Sequence, residues 1–225
     1  MINLLNLFFP KVCEACSNYL SDNEQVICTL CRHELPLTNC HKYHKNDVKK
    51  ILYGRVDLQN ATALLHFSKG GKVQKLLHNL KYKGREQVGK FLGEWLGEEL
   101  KFIQQYSSID VVVPVPLHKN KLRTRGFNQV HQFGAAIARE LDVEFNARLL
   151  QRKFSSNSQV FKSRFSRFND AKTIFVIEDT ETYKNRHILL VDDIITTGAT
   201  IERCALELLK IKGVKLSLAT MAIAE

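Results

Sequence analysis

No apolar run in the sequence approaches the roughly 18 residues that a membrane span needs. The stretch at 111–113 is cut by Pro114, and the one at 188–191 by Asp192 and Asp193. A chain crossing the bilayer is therefore not expected. The apolar opening, 1–10, has no basic residue ahead of it and no small-residue cleavage site, so no signal peptide is expected and a reducing, cytoplasmic location is. Proline and glycine are scarce, at four and eleven of 225 residues. With 44% hydrophobic and 25% charged residues, the composition excludes collagen-like, coiled-coil and wholly disordered chains. The length suits one sizeable domain with an appendage.

Acids also run short. Lys and Arg number 33 against 23 Asp and Glu, a net charge of +10. Between 119 and 168, eleven basic residues face three acids, a net +8, and 69–85 holds six basic residues and no acid. Such an excess suits a polyanionic partner: a nucleotide, a pyrophosphate or a nucleic acid. A solvated basic surface is the plainer reading, and charge alone does not separate the two.

Five of the six cysteines fall in the first forty residues, which read as a small module at 1–45 ahead of a larger domain at 46–225, with a polar boundary near 39–50. A strand-like run at 61–67 is followed by apolar positions at helical spacing, first Val73, Leu76, Leu77 and Leu80, then Val88 through Leu100. Trp95 falls on the second stripe as a core residue. A buried strand is expected at 109–115, then a polar loop, then a helix carrying Val130, Phe133, Ile137 and Leu141. Strands at 173–177 and 187–191, a helix at 200–212 and a strand at 214–223 complete the pattern. Strands alternating with helices predict an α/β fold, a mostly parallel sheet covered on both faces.

Cys13 and Cys16 form one C-x-x-C pair, and Cys28 and Cys31 a second, eleven residues on. Two such knuckles complete a tetrahedral four-thiolate shell suited to a structural Zn²⁺, with no position left for a water. Disulfide pairing and redox C-x-x-C chemistry are the weaker alternatives, given the expected reducing compartment and the absence of a surrounding βαβ unit. Cys40, His41 and His44 follow closely and are expected at the surface; Cys204 is expected as a small core residue.

The segment 187–200 is the most informative. An apolar strand delivers Asp192 and Asp193 to its carboxyl end, and Thr196, Thr197, Gly198, Ala199 and Thr200 then open a helix. Ligands bind at this place in α/β sheets. Amide groups at a helix start favour a phosphate, glycine permits close approach, and carboxylates accept from a vicinal diol. Together they describe a sugar phosphate. Helix capping by Asp193 and Thr197 is the bland alternative, and it leaves the remaining threonines and the glycine unexplained. No Walker-type Gly-x-x-x-x-Gly-Lys-Ser/Thr occurs.

The stretch from Val191 to Thr200 resembles the phosphoribosyl pyrophosphate (PRPP) motif of the type I phosphoribosyltransferase fold. Lys81-Tyr82-Lys83-Gly84, Val113-Pro114-Val115-Pro116-Leu117-His118, Arg125-Gly126-Phe127-Asn128-Gln129 and the series Gln159, Arg164, Arg167, together with the cysteine module, narrow the resemblance to the ComF (ComFC-like) family. The resemblance implies that Asp192 and Asp193 hold the ribose hydroxyls, that Thr196 to Thr200 wrap the 5′-phosphate, and that Mg²⁺ accompanies PRPP. Lys81, Lys83, Arg123 and Arg125 are the candidates for pyrophosphate or DNA contact. Asp170 departs from the asparagine expected beside Asn169, and Cys40 lies where some relatives extend the cysteine series.

The family is associated with natural competence, the uptake of single-stranded DNA into the cytoplasm. In the basic belt Phe127, Phe133, Phe154, Phe161, Phe165 and Phe168 alternate with Arg and Lys, so exposed members can stack on bases while cations follow the backbone; Phe133 fits a buried helix face better. Three functions follow: a PRPP-binding protein of DNA uptake, an active phosphoribosyltransferase on an unidentified acceptor, or a PRPP-responsive regulatory protein. The implied partners are PRPP, single-stranded DNA and uptake proteins such as a competence helicase. No catalytic residue is assigned.

Overall fold

The computed structural model describes residues 10–43, 47–154 and 173–224. In chain order its main elements are α1 (Thr29–Glu34), α2 (Asp47–Ile51), β1 (Ala61–Phe67), α3 (Lys72–Tyr82), α4 (Glu86–Lys101), β2 (Val111–Pro114), α5 (Lys119–Arg125), α6 (His131–Leu141), β3 (Glu144–Phe145), β4 (Leu150–Phe154), β5 (Thr173–Ile177), β6 (His187–Ile195), α7 (Ala199–Leu208) and β7 (Lys215–Ala224). Readings that fall on His44, Gln159, Phe161, Lys162, Arg164, Phe165, Arg167, Phe168, Asn169 and Asp170 lie outside the described residues, as does the side chain of Phe154.

A five-stranded sheet in the order β1-β7-β6-β2-β3 is parallel at every pairing. Its central strand β6 is apolar from Ile188 to Val191 because both its faces are covered. Alternation divides the core: Val112, Leu189, Val191 and Met221 face α3, α4 and α6, while Val111, Val113, Ile188, Leu190 and Leu218 face α7 and α2. This is the layered α/β arrangement expected.

On the first face, α4 and α6 cross at close range. A Cβ on Gly93 would press into the Phe133 carbonyl oxygen and stand 2.8 Å from Ala136 Cβ, so the missing side chain lets α6 approach. That approach fixes the loop entering α6, which carries Gln129.

Three differences from the sequence reading concern elements near the site. The polar loop after β2 holds the helix α5; none of its residues is buried, so it has no apolar stripe for periodicity to detect. Residues 173–177 do form a strand, but β5 pairs antiparallel with β4 in a separate two-stranded ribbon. Helix α7 stops at Leu208 rather than 212; buried Ile211 continues the apolar pattern through a turn closed by Gly213 at φ +73°.

Candidate functional site

Strand β2 leads outward to β3, and β6 leads the other way to β7. Their shared carboxyl end is therefore the point where strand order reverses, the usual ligand position in open α/β sheets. Pro114 pairs with Val191, and the Val115 N–H continues the ladder to the Val191 carbonyl at 2.9 Å. A cleft of about 240 Å³ opens here, lined by Val115–Leu117, by residues 192–201 and by the cations Lys81, Lys121, Arg125 and Arg152.

The turn into α7 is shaped for close approach. Gly198 is the helix N-cap at φ +75°, with no side chain capping it; Asp193 lies within β6, so neither it nor Thr197 acts as the cap. A Cβ on Gly198 would meet Leu52 at 2.8 Å and Ile51 at 3.2 Å. From behind, Arg55 donates to the Thr197 carbonyl at 2.8 Å and pairs with Glu202 at 2.7 Å. Thr196, Thr197 and Thr200 are exposed on the cleft side. Helix α7 thus presents free N-terminal amides with three hydroxyls beside them, the donor set for a phosphate.

The two acids differ in surroundings. Asp193 turns to α3 and α6, where its Oδ2 lies 2.8 Å from Lys81 Nζ and accepts from Gln129 Nε2 at 2.8 Å. Asp192 accepts the N–H of Asp193 at 2.8 Å. Burial, reinforced by the adjacent Asp193 charge, pushes Asp192 up to about 8. Two buried carboxylates side by side share one local negative charge most cheaply; a diol or a cation brought by a ligand relieves that cost.

The residues Arg125 to Gln129 wire this site together. Arg125 ends α5, Gly126 takes φ +82° as its cap, and Asn128 donates to the Val115 carbonyl at 3.0 Å. Arg125 then donates to Gln129 Oε1 at 2.5 Å, and Gln129 passes the contact to Asp193. Lys81 and Arg125 join the acids and the turn; Lys83, the exposed cap of α3, and Arg123, exposed on α5, do not line the cleft. Composition offered no cue to Gln129 or Arg55.

Arg152, on β4, is a further cation that sequence reasoning counted only as charge. Its Nε is buried without a hydrogen-bond partner among the described residues, and its guanidinium stands 5.7 Å from the Phe175 ring centroid, with that of Arg203 at 5.5 Å. Burial and then the like charge of Arg203 depress its pKa.

The sulfurs of Cys13, Cys16, Cys28 and Cys31 lie within 4.8 Å of one another. A tetrahedral Zn²⁺ with arms of about 2.3 Å sets its sulfurs roughly 3.8 Å apart, and Cys16 Sγ to Cys28 Sγ measures 3.8 Å. Backbone N–H groups of Asn18 and Cys28 point at the Cys16 and Cys13 sulfurs. Burial raises the Cys13 thiol, but the amides of Cys28, Cys16 and Ala15 outweigh it and bring it down to about 7; burial and then the neighbouring thiols push Cys31 up. One thiolate is favoured and further ones are resisted until a dication balances them, so the donor set fits a zinc-type ion, and all four cysteines are free of disulfides.

This module is packed into the main domain. Glu14, between the first two cysteines, accepts from Asn79 Nδ2 at 2.9 Å, and Cys13, Cys31 and Ala15 share a core with Leu76 and Leu80 of α3. Cys40 and His41, expected at the surface, are buried at 6% and 2% exposure, because the turn they occupy folds beneath β1 and α4. His41 Nε2 is 2.9 Å from Glu99 Oε2. Cys204 is fully buried in the core, as expected. Trp95 packs partly buried at the core edge, with Arg32 over its ring at 5.0 Å.

Residues 131–224 match the phosphoribosyl transferase domain family. The chain is 25% identical over 202 residues to DNA utilization protein YhgH of Escherichia coli (strain K12), covering 88% of this chain and 84% of that one. It is 32% identical over 123 residues to competence protein ComFC of Streptococcus pneumoniae, covering 55% and 50%, and 26% identical over 144 residues to competence protein F of Haemophilus influenzae, covering 62% of each. The chain is thus similar to ComF-type competence proteins, and its residues 131–224 to the phosphoribosyl transferase domain. Its parallel sheet includes the residues matched to that domain, and four cysteines form a cluster able to hold a metal. Among solved structures, adenine phosphoribosyltransferase of Leishmania donovani is 14% identical with a TM-score of 0.40, covering 79% of this chain and 80% of that one. Hypoxanthine phosphoribosyltransferase of Staphylococcus aureus is 15% identical with a TM-score of 0.37, covering 60% and 62%. Among the described residues no helix is long and apolar enough to cross a membrane.

Proposed function

We propose that this ComF-like chain binds PRPP with Mg²⁺ and serves natural competence in the cytoplasm, handling the single-stranded DNA that is taken up. The carrying observation is the cleft at the β2/β6 switch point, where the Asp192–Asp193 doublet, the Gly198 turn and four cations converge. In this reading the free α7 amides and Thr196, Thr197 and Thr200 hold the 5′-phosphate. The acids receive the ribose hydroxyls, and Lys81, Lys121, Arg125 and Arg152 face the pyrophosphate. Mg²⁺ would neutralise pyrophosphate charge, and the hard carboxylate oxygens of Asp192 and Asp193 would suit it. The four-cysteine cluster holds a structural zinc. The DNA role is supported by the names of the relatives and by the net charge of +10.

Isothermal calorimetry with PRPP and Mg²⁺ tests the ligand. Saturable binding by the unmodified protein, abolished in the Asp192→Ala/Asp193→Ala variant, is expected; no binding by the unmodified protein overturns the assignment. Single-strand DNA affinity measured across a salt series should fall steeply, and a flat response would remove the nucleic-acid role.

A further inference from the structure

We propose that Glu14, inside the cysteine knuckle, is a positioning residue for the cleft: it fixes the end of α3 and thereby holds Lys81 against Asp193. Glu14 lies between Cys13 and Cys16 but is no member of the four-sulfur cluster. An anion there is costly to the knuckle itself, because it adds repulsion beside four thiolates. It is also buried, at 8% exposure. A buried carboxylate persists only where donors meet it, and here every donor comes from one short stretch of the main domain.

Glu14 Oε2 accepts from Asn79 Nδ2 at 2.9 Å, and the same amide reaches the Glu14 backbone carbonyl at 3.1 Å. Oε1 meets Gln87 Nε2 and Arg85 Nε, each at 3.3 Å. These three partners bracket the turn from α3 into α4, where Gly84 takes φ +66°. Asn79 acts twice: its side chain grips Glu14, while its backbone carbonyl accepts the N–H groups of Lys83 and Arg85 at 3.0 and 3.3 Å and closes the helix end. Lys81 lies within that closed end. On the knuckle side, the Glu14 N–H donates to the Val26 carbonyl at 2.9 Å, so the carboxylate is anchored to the loop that leads to Cys28. A lysine ammonium rides on a flexible four-carbon stem, and its aim at Asp193 is only as firm as the turn that carries it. All three side-chain partners donate, so both oxygens of Glu14 must accept. Glutamine in this place would set its own N–H₂ against one of them, donor against donor.

The inference rests on the proposed reading of the cleft, but its main readout needs no PRPP. Full-length protein of measured metal content is pulse-labelled with acetic anhydride, and the acylation rate of each lysine is read by mass spectrometry. Lys81, partly buried and paired with Asp193, should react slowly, with exposed Lys101 at the far end of α4 as the reference. Glu14→Gln should raise the Lys81 rate relative to Lys101 roughly two- to tenfold, the contribution of one ordinary hydrogen bond, with metal content and melting temperature unchanged. Should that variant fail to fold, Asn79→Ala, which leaves the knuckle sequence intact, breaks the same contact and should show the same rise. PRPP affinity should fall in Glu14→Gln and fall no further when Lys81→Ala is already present, because Glu14 acts through that lysine. In the folded variant, an unchanged Lys81 rate, or rates rising alike at every lysine, overturns the proposal. If the unmodified protein binds no PRPP while Lys81 labelling still depends on Glu14, the reading of the cleft falls and the positioning role stands.

Discussion

Asn79 and Lys81 stand two residues apart on α3 and reach opposite ways: Asn79 donates to Glu14 of the cysteine module at 2.9 Å, while Lys81 lies 2.8 Å from Asp193. One helix end thus ties the four-cysteine knuckle to the acid doublet. Metal removal should be felt in the cleft. Chelation is expected to lower the melting temperature of the whole chain, because Cys13 and Cys31 belong to the same core as Leu76 and Leu80, and to weaken PRPP binding. Calorimetry on metal-depleted and zinc-reconstituted protein, with metal content measured, checks both.

Lys81→Ala removes the cation beside Asp193 and one of the four that line the cleft. Charge-assisted contacts of this kind contribute about 1.5–3 kcal/mol, so PRPP affinity should fall roughly ten- to a hundredfold. Arg152→Ala should weaken PRPP binding similarly, and Arg152→Lys should not restore it, because a point charge does not reproduce a guanidinium fork. Calorimetry at two salt concentrations reads both.

Asp192 titrates near 8 in the fold against an ordinary 3.8. A carboxyl with a raised folded value leaves the native state protonated while the unfolded chain ionises. The native state is therefore progressively penalised as pH rises from about 4 to about 8, and the penalty is constant above that. Asp192→Asn removes it. The variant should melt higher than the unmodified protein at pH 8 and no higher at pH 4, while losing PRPP binding. Thermal melts across this range check the sign.

Gly93→Ala would ordinarily favour a helix by about 1 kcal/mol. Here the added methyl meets the Phe133 backbone, which cannot rotate away as a side-chain tip can. Net destabilisation of about 1–3 kcal/mol is expected, read by denaturant unfolding.

The sheet and the acid-and-threonine turn that lines the cleft were legible because their signals are local. An apolar strand, two acids and a Thr/Gly turn lie within fourteen consecutive residues, 187–200, and two C-x-x-C pairs foretell by spacing a four-sulfur cluster able to hold a metal. What was not legible depends on distant parts of the chain. Arg55 braces the turn from 142 residues before it, and Arg152 reaches the cleft from a ribbon whose pairing the sequence does not announce. Helix α5 buries no residue, so no period betrays it. Cys40 and His41 look polar and superfluous in sequence, and their burial follows only from how β1 and α4 cover them.

The most direct test of the central claim is a crystal structure of the zinc-loaded protein with PRPP and Mg²⁺. The account predicts the 5′-phosphate against the Gly198 turn, the ribose hydroxyls at Asp192 and Asp193, and the pyrophosphate toward Lys81, Arg125 and Arg152. Ligand density elsewhere on the molecule, with that turn vacant, would contradict it.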